Sequence, residues 1–154
     1  MSTLTQEVEM LKKIPMFASI DPGKLKLLAF ASDRKVYKNG QDLFKQGEIG
    51  DSAHVIVEGC AQIIVVADGN EIVVAELGSN EIIGEIAILC DVPRTATVRA
   101  NGEVVALKIK KEHFIGMINQ APELGIEVMR ELAERLTKTT AELSEARRQL
   151  ANAK

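Results

Sequence analysis

Between Lys35 and Lys110 lie eight of the chain's eleven glycines, Gly40, Gly47, Gly50, Gly59, Gly69, Gly78, Gly84 and Gly102, at intervals suited to turns. Short runs rich in Val, Ile and Thr separate them: Ala53–Val57, Ala61–Val66, Ile72–Val74, Thr95–Val98 and Val104–Ile109. Branched side chains fit a pleated, half-buried surface, and Asp68-Gly69-Asn70 has the composition of a hairpin turn. Many short strands with regular turns need an architecture that protects its own edges. We expect a mainly β fold, an antiparallel jelly-roll β-barrel (a double-stranded β-helix) over residues 32–112.

The flanks follow a different period. In residues 1–31 Leu4, Val8, Leu11 and Ile14, then Leu25, Leu28 and Ala29, recur at helical spacing, with Asp21-Pro22 as a helix start between them. Residues 113–154 return to helix: His113–Asn119 forms a short piece, and Pro122 opens a long helix that reaches at least Leu150, interrupted only by Gly125. Met129, Leu136, Leu143 and Leu150 stand seven residues apart, and Leu132, Thr139 and Ala146 interleave, which is an a/d seam. Glu131 with Arg135 and Glu134 with Lys138 are i, i+4 pairs in the favourable order. Residues 123–150 would span about 42 Å, longer than one barrel needs for cover. Part of the seam is therefore expected to meet a second copy, with residues 129–150 as a homodimer helix; packing on its own barrel is the alternative for the first two turns.

Composition narrows the function classes. A chain of 154 residues is one domain, 1–154, and 19 Lys+Arg against 22 Asp+Glu give a net charge of −3. No basic run offers a footprint for nucleic acid, so direct nucleic-acid binding is not expected. No stretch has the roughly 18 apolar residues of a membrane span, and the start MSTLTQEVEM lacks an apolar targeting region. Cys60 and Cys90 each lie in an apolar stretch and are expected to be buried thiols in a cytoplasmic protein without anchor. His54 and His113 stand 59 residues apart with no nucleophile, phosphate loop or metal cluster beside them, so enzymatic activity and a cofactor are not expected.

The stretch Ile82–Ala100, IIGEIAILCDVPRTATVRA, carries the chemistry. Gly84 opens a short apolar helix, and a glycine there lets a ligand approach the backbone. Freed amides of a first helical turn, with the positive end of the helix dipole, favour an anion. Arg94, nine residues after Glu85, supplies a fork for two phosphate oxygens, and Glu85 is an acceptor for sugar hydroxyls. Thr95 and Thr97 alternate with Ala96 and Val98, and periodicity does not decide which pair faces a ligand. The competing reading is a surface ion pair between Glu85 and Arg94 worth ~0–1 kcal/mol, and spacing alone favours it.

The same residues resemble the phosphate-binding cassette of cyclic-nucleotide-binding domains. The likeness rests on Gly84-Glu85, the apolar Ile86-Ala87, Pro93-Arg94-Thr95 and Ala96-Thr97-Val98. Phe44-Lys45-Gln46-Gly47-Glu48 and Val55-Ile56-Val57-Glu58-Gly59 extend it, so that it covers about residues 8–145. The resemblance places the cassette at 83–98 and implies that Arg94 pairs with a cyclic phosphate. It further implies that Glu85 accepts from the ribose 2′-hydroxyl and that amides of Gly84 and Ala87 line the pocket. Thr95 becomes the discriminating hydroxyl, compatible with cAMP and cGMP alike. Ile83 and Val74 would touch sugar and base, with plain core residues as an equal alternative.

In the long helix, Arg135-Leu136 and Thr139-Thr140 are similar to the dimer helix of that family's transcriptional activators, whose two consecutive hydroxyl residues touch the base. Arg135 is a rival for capping the base. The sequence ends at Lys154 without a DNA-reading domain, so output is expected through an unidentified effector protein if the chain is complete, or through a further domain if it is a fragment. The expected function is thus a regulatory domain binding a cyclic nucleotide, cAMP preferred and cGMP possible, with the ligand coupled to movement of the C-terminal helix. The alternative is a structural or dimerisation module of the same fold that binds no nucleotide.

Overall fold

In a computed structural model of the chain, residues 3–153 are described; Met1, Ser2 and Lys154 lie outside them. The two helical pieces expected in the N-terminal flank are α1 (Thr3–Lys12) and α2 (Pro22–Ala31), with a 3-10 turn at Pro15–Phe17 between them. Asp21 starts α2 as its composition predicts: the carboxylate accepts from the Gly23 amide at 3.4 Å, and Pro22 occupies the first turn, where it loses no bond.

Six antiparallel strands follow: β1 (Asp33–Tyr37), β2 (Asp42–Phe44), β3 (Ser52–Ala67), β4 (Asn70–Leu77), β5 (Ile82–Ile83) and β6 (Thr97–Lys110). Their order is β1-β6-β3-β4, with β2 also on β6 and β5 on β3. The arrangement is jelly-roll-like, and the hydrogen-bonded path stays open between β1 and β4. The β3–β4 hairpin turns at Asp68 and Gly69 with φ of 53° and 78°, the positive pair that a tight two-residue turn demands.

Two runs expected as separate strands, Ala53–Val57 and Ala61–Val66, are one strand. Gly59 between them is a bulge and not a turn. The register against β6 shifts on both sides of Glu58, Gly59 has φ 96°, and a Cβ there would lie 2.3 Å from the Glu103 carbonyl oxygen.

Strand alternation sorts side chains onto two faces. Val55, Leu107 and Ile109 join Phe17, Leu25, Phe114 and Leu124 in a core between sheet and helices. Ile56, Ala61, Val98, Ala100, Val104 and Ala106 fill a smaller core inside the jelly roll. His54 and Lys108 are register partners with the parity of Ile56 and Ala106, so they belong to this inner face.

Two helices close the chain, α4 (Lys111–Gln120) and α5 (Pro122–Asn152). Gly125 does not break α5; a Cβ there would meet Ile118 of α4 at 3.3 Å, so the glycine serves close helix packing. Leu124 and Val128 are buried and Leu132 packs against the core, while Met129, Leu136, Leu143 and Leu150 are 64%, 68%, 53% and 66% exposed. The seam is thus partly covered at Leu132 and uncovered within one chain at Met129, Leu136, Leu143 and Leu150. Nor are both cysteines buried: Cys60 is half-buried and Cys90 exposed. The short helix that ends at Cys90 turns Glu85, Ala87 and Ile88 inward and leaves Cys90 outside. Among the described residues no helix is long and apolar enough to cross a membrane.

Candidate functional site

β5 runs directly into Gly84, which precedes helix α3 (Glu85–Cys90) with φ 95° and ψ 0°, a left-handed conformation suited to glycine. Space makes the same demand. A Cβ on Gly84 would lie 2.7 Å from Arg94 Nη1 and 3.1 Å from the Ser52 carbonyl oxygen. Behind α3, Ala87 packs on Gly50, where an added Cβ would come within 2.1 Å of the alanine methyl. The return of the chain through Pro93-Arg94 is fastened to the 47–49 loop. The Gly47 amide donates to the Arg94 carbonyl at 2.9 Å, and the Arg94 amide donates to the Glu48 carbonyl at 2.8 Å.

The Arg94 side chain points inward and is 4% exposed. Nη1 donates to the Gly84 carbonyl at 3.0 Å, and Nη2 donates to the carbonyl and hydroxyl oxygens of Ser52 at 2.7 and 3.3 Å. Its guanidinium carbon lies 4.0 Å from the centre of the Phe44 ring, a cation–π contact. The nearest carboxylate, Asp51, is 3.9 Å away and 74% exposed. Burial pushes the guanidinium below its usual value, opposed by Asp51, Glu48 and Glu85. The result is a buried cation held by carbonyl dipoles, with no buried carboxylate in direct contact among the described residues, which is a receptive place for an anion.

Glu85 is 1% exposed and does not pair with Arg94. The competing reading, a surface ion pair between them, is not what is observed: the two are buried charges with separate partners. Glu85 Oε1 accepts from Arg135 Nη1 of α5 at 2.5 Å, while Oε2 is buried and has no partner. Arg135 Nη2 also donates to Glu131 Oε1 at 2.8 Å, the i, i+4 pair visible in the sequence, and to the Ile82 carbonyl at 3.3 Å. Burial raises the Glu131 carboxyl, Arg135 lowers it, and Glu85 raises it again. Two carboxylates therefore share one guanidinium where α5 crosses the cassette.

The other candidates scatter around this centre. Ile83 is half-buried at the rim of the inner core, Ala87 is buried, and Ala96 is half-buried. Ile86 is 38% exposed, and Thr95 is exposed. Val74 is 56% exposed on β4, so it is not a core residue. Thr139 and Thr140 are exposed on α5, and among the described residues no hydrogen bond joins them to the cassette. Thr97 is buried, its hydroxyl accepting from the Gln46 amide at 2.9 Å. Sequence reasoning missed His54, which lies beside Phe44 with ring centroids 5.7 Å apart and is 2% exposed. Its only signal was an inward strand parity. Among the described residues no three His, Cys, Asp or Glu side chains are grouped to hold a metal.

The chain is similar to known proteins in sequence and in fold. The family described as the cyclic nucleotide-binding domain matches residues 34–121. A cAMP-dependent protein kinase regulatory subunit of Blastocladiella emersonii is 29% identical over 115 residues, 74% of this chain and 28% of the relative. A CRP-like cAMP-activated global transcriptional regulator of Mycobacterium tuberculosis (strain CDC 1551 / Oshkosh) is 28% identical over 138 residues, 89% of this chain and 62% of the relative. The chain thus spans less than two thirds of either relative's length. The crystal structure of Thermus thermophilus catabolite activator protein superposes with a TM-score of 0.77 at 26% identity, covering 84% of this chain and 62% of that one. With the Gly84 turn, the buried Arg94 and the acceptor Glu85 in one cassette, and the family match over 34–121, the chain belongs to the cyclic nucleotide-binding domain family.

Proposed function

We propose that this chain is a sensor domain that binds cAMP in preference to cGMP and couples the ligand to the placement of α5. The observation that carries the reading is the pair of incompletely satisfied buried groups in one cassette: Arg94 with no buried carboxylate in direct contact among the described residues, and Glu85 with Oε2 unpartnered. A cyclic phosphate supplies the missing anion, and a ribose 2′-hydroxyl supplies the missing donor. In this reading amides of Gly84 and Ala87 line the phosphate, Thr95 bonds it and selects the base, and Ile83, Ile86, Ala96 and Val74 give apolar contact. Two relatives carry cAMP in their names, which supports adenine.

Arg135 supports the coupling. It is the α5 group already seated on Glu85, and a ligand that takes a share of that carboxylate changes the energy of the helix position. Only a ligand with different affinities for the two placements shifts them. The uncovered seam supports a homodimer through residues 129–150, with Thr139 and Thr140 near the base, and an effector protein or domain reads the change. Two unpaired cysteines fit a cytoplasmic setting.

Calorimetric titration of cAMP and cGMP tests the reading. One saturable site per chain with cAMP the tighter ligand is the expected result. No heat and no rise in melting temperature with either nucleotide would instead support the assembly module without a ligand.

A further inference from the structure

A second cavity, about 510 Å³ in volume and open to solvent, lies between the largely exposed 47–51 loop and the inner face of β3 and β6, bordered by Phe44, Ser52, His54, Arg94 and Lys108, with Glu48 and Asp51 also at its wall. It shares Arg94 with the site assigned above to the nucleotide, whereas Glu85, Ile83, Thr95 and Val74 do not line it. Its polar groups are left open. Both ring nitrogens of His54 and the Nε of Arg94 are buried without a hydrogen-bond partner. Native proteins rarely leave such groups unpaired, and each instance calls for a missing partner or a function. Lys108 sits opposite His54 in the β3–β6 register, so the two side chains stand side by side on the inner face. Among the described residues Lys108 has no ion-pair partner.

The charge around the imidazole is predominantly positive. Burial pushes His54 down to about 3, Arg94 and Lys108 push it further the same way, and Asp51 alone opposes them. Asp51 is largely in solvent, where its field is screened, whereas Arg94 is not. Tyr37 and Phe44, the rings packed on His54, bring no counter-charge.

We propose that this cavity binds a small oxyanion of the class of inorganic phosphate, held by Arg94 Nε, the Lys108 ammonium and one nitrogen of His54. The imidazole is neutral, with one nitrogen a donor and the other an acceptor. Hydrogen phosphate carries both oxygen acceptors and an O–H donor, so it pairs with whichever nitrogen faces it. Nη1 holds the Gly84 carbonyl of the cassette and Nη2 the Ser52 oxygens at the cavity wall, which leaves Nε as the open donor of Arg94. Arg94 is shared with the cassette, but His54 and Lys108 are not, so variants at these two test the inference separately from nucleotide binding.

The test is a titration of the full chain with inorganic phosphate at constant ionic strength, following the imidazole resonances of His54 by NMR. The expected result is a saturable shift, with affinity at least about tenfold weaker in Lys108→Met, as loss of a charge-assisted bond implies, and retained in Lys108→Arg. A shift that is absent or never saturates overturns the proposal. So does unchanged affinity in Lys108→Met, which would mean phosphate held by the cassette face of Arg94 alone. His54→Phe preserves the ring packing and gives a second measurement by calorimetry. Phosphate binding should weaken there, and unaltered binding contradicts the assignment.

Discussion

Arg135, in the middle of the long C-terminal helix, donates to the buried carboxylate of Glu85, fifty residues earlier in the chain. This contact ties the cassette to α5 and is the only hydrogen bond recorded to the Glu85 side chain among the described residues. Removing the arginine alone strands a buried charge. Arg135→Ala should therefore destabilise the fold by about 1–3 kcal/mol, less than for a fully enclosed pair because the guanidinium is partly solvated. In a Glu85→Gln background the same substitution should cost little. Urea unfolding of the four proteins in a double-mutant cycle measures this, and additive losses would show that the two side chains do not interact.

Gly84 is constrained twice, by its positive φ and by the approach of Arg94. Gly84→Ala should cost about 1–2 kcal/mol from the left-handed backbone alone. It should also weaken cAMP binding, because the guanidinium must move. Thermal melting and calorimetry on the same sample read both effects. Unaltered cAMP affinity in a folded Gly84→Ala protein would argue that Arg94 is not held in a binding position by this close fit.

His54 makes stability depend on pH in a definite direction. Its folded-state pKa is depressed to about 3 from 6.5, so below 6.5 the unfolded chain takes up a proton that the folded chain refuses. The group is silent above that value, and stability falls as pH drops from about 6.5 toward 3, with a limiting slope of about 1.4 kcal/mol per pH unit. Between pH 7.5 and 5.5 the wild type should lose about 1.4 kcal/mol more than His54→Phe. Equal losses in denaturant unfolding would place the imidazole in contact with water.

The seam on α5 predicts assembly. Leu136 and Leu143 are more than half exposed at heptad spacing, so the pair of substitutions Leu136→Lys and Leu143→Lys should convert a dimer to a monomer in sedimentation velocity. A wild-type monomer at the same concentration would remove the seam as a self-association surface.

Local chemistry made much of this molecule legible in its sequence. The Asp68-Gly69 turn, the Asp21-Pro22 helix start and the length of α5 each follow from rules that act over a few residues. Gly59 misled, because a glycine in a bulge and a glycine in a turn share one composition; what separates them is Glu103 on the opposite strand. The cysteines misled because an apolar run does not say which side of a six-residue helix faces in. The cassette's Glu85 and Arg94 were legible as residues but not as partners. Their true neighbours, Arg135 and Ser52, are fixed by how α5 and β3 cross the cassette. The open nitrogens of His54 are a property of packing, and no spacing in the chain encodes them.

Calorimetry of cAMP with the wild type and with Arg94→Ala bears most directly on the binding role of the cassette. The predicted result is saturable binding to the wild type and a loss of about 2–5 kcal/mol in the variant, which leaves the phosphate without its guanidinium. Equal affinity in the two proteins would contradict it.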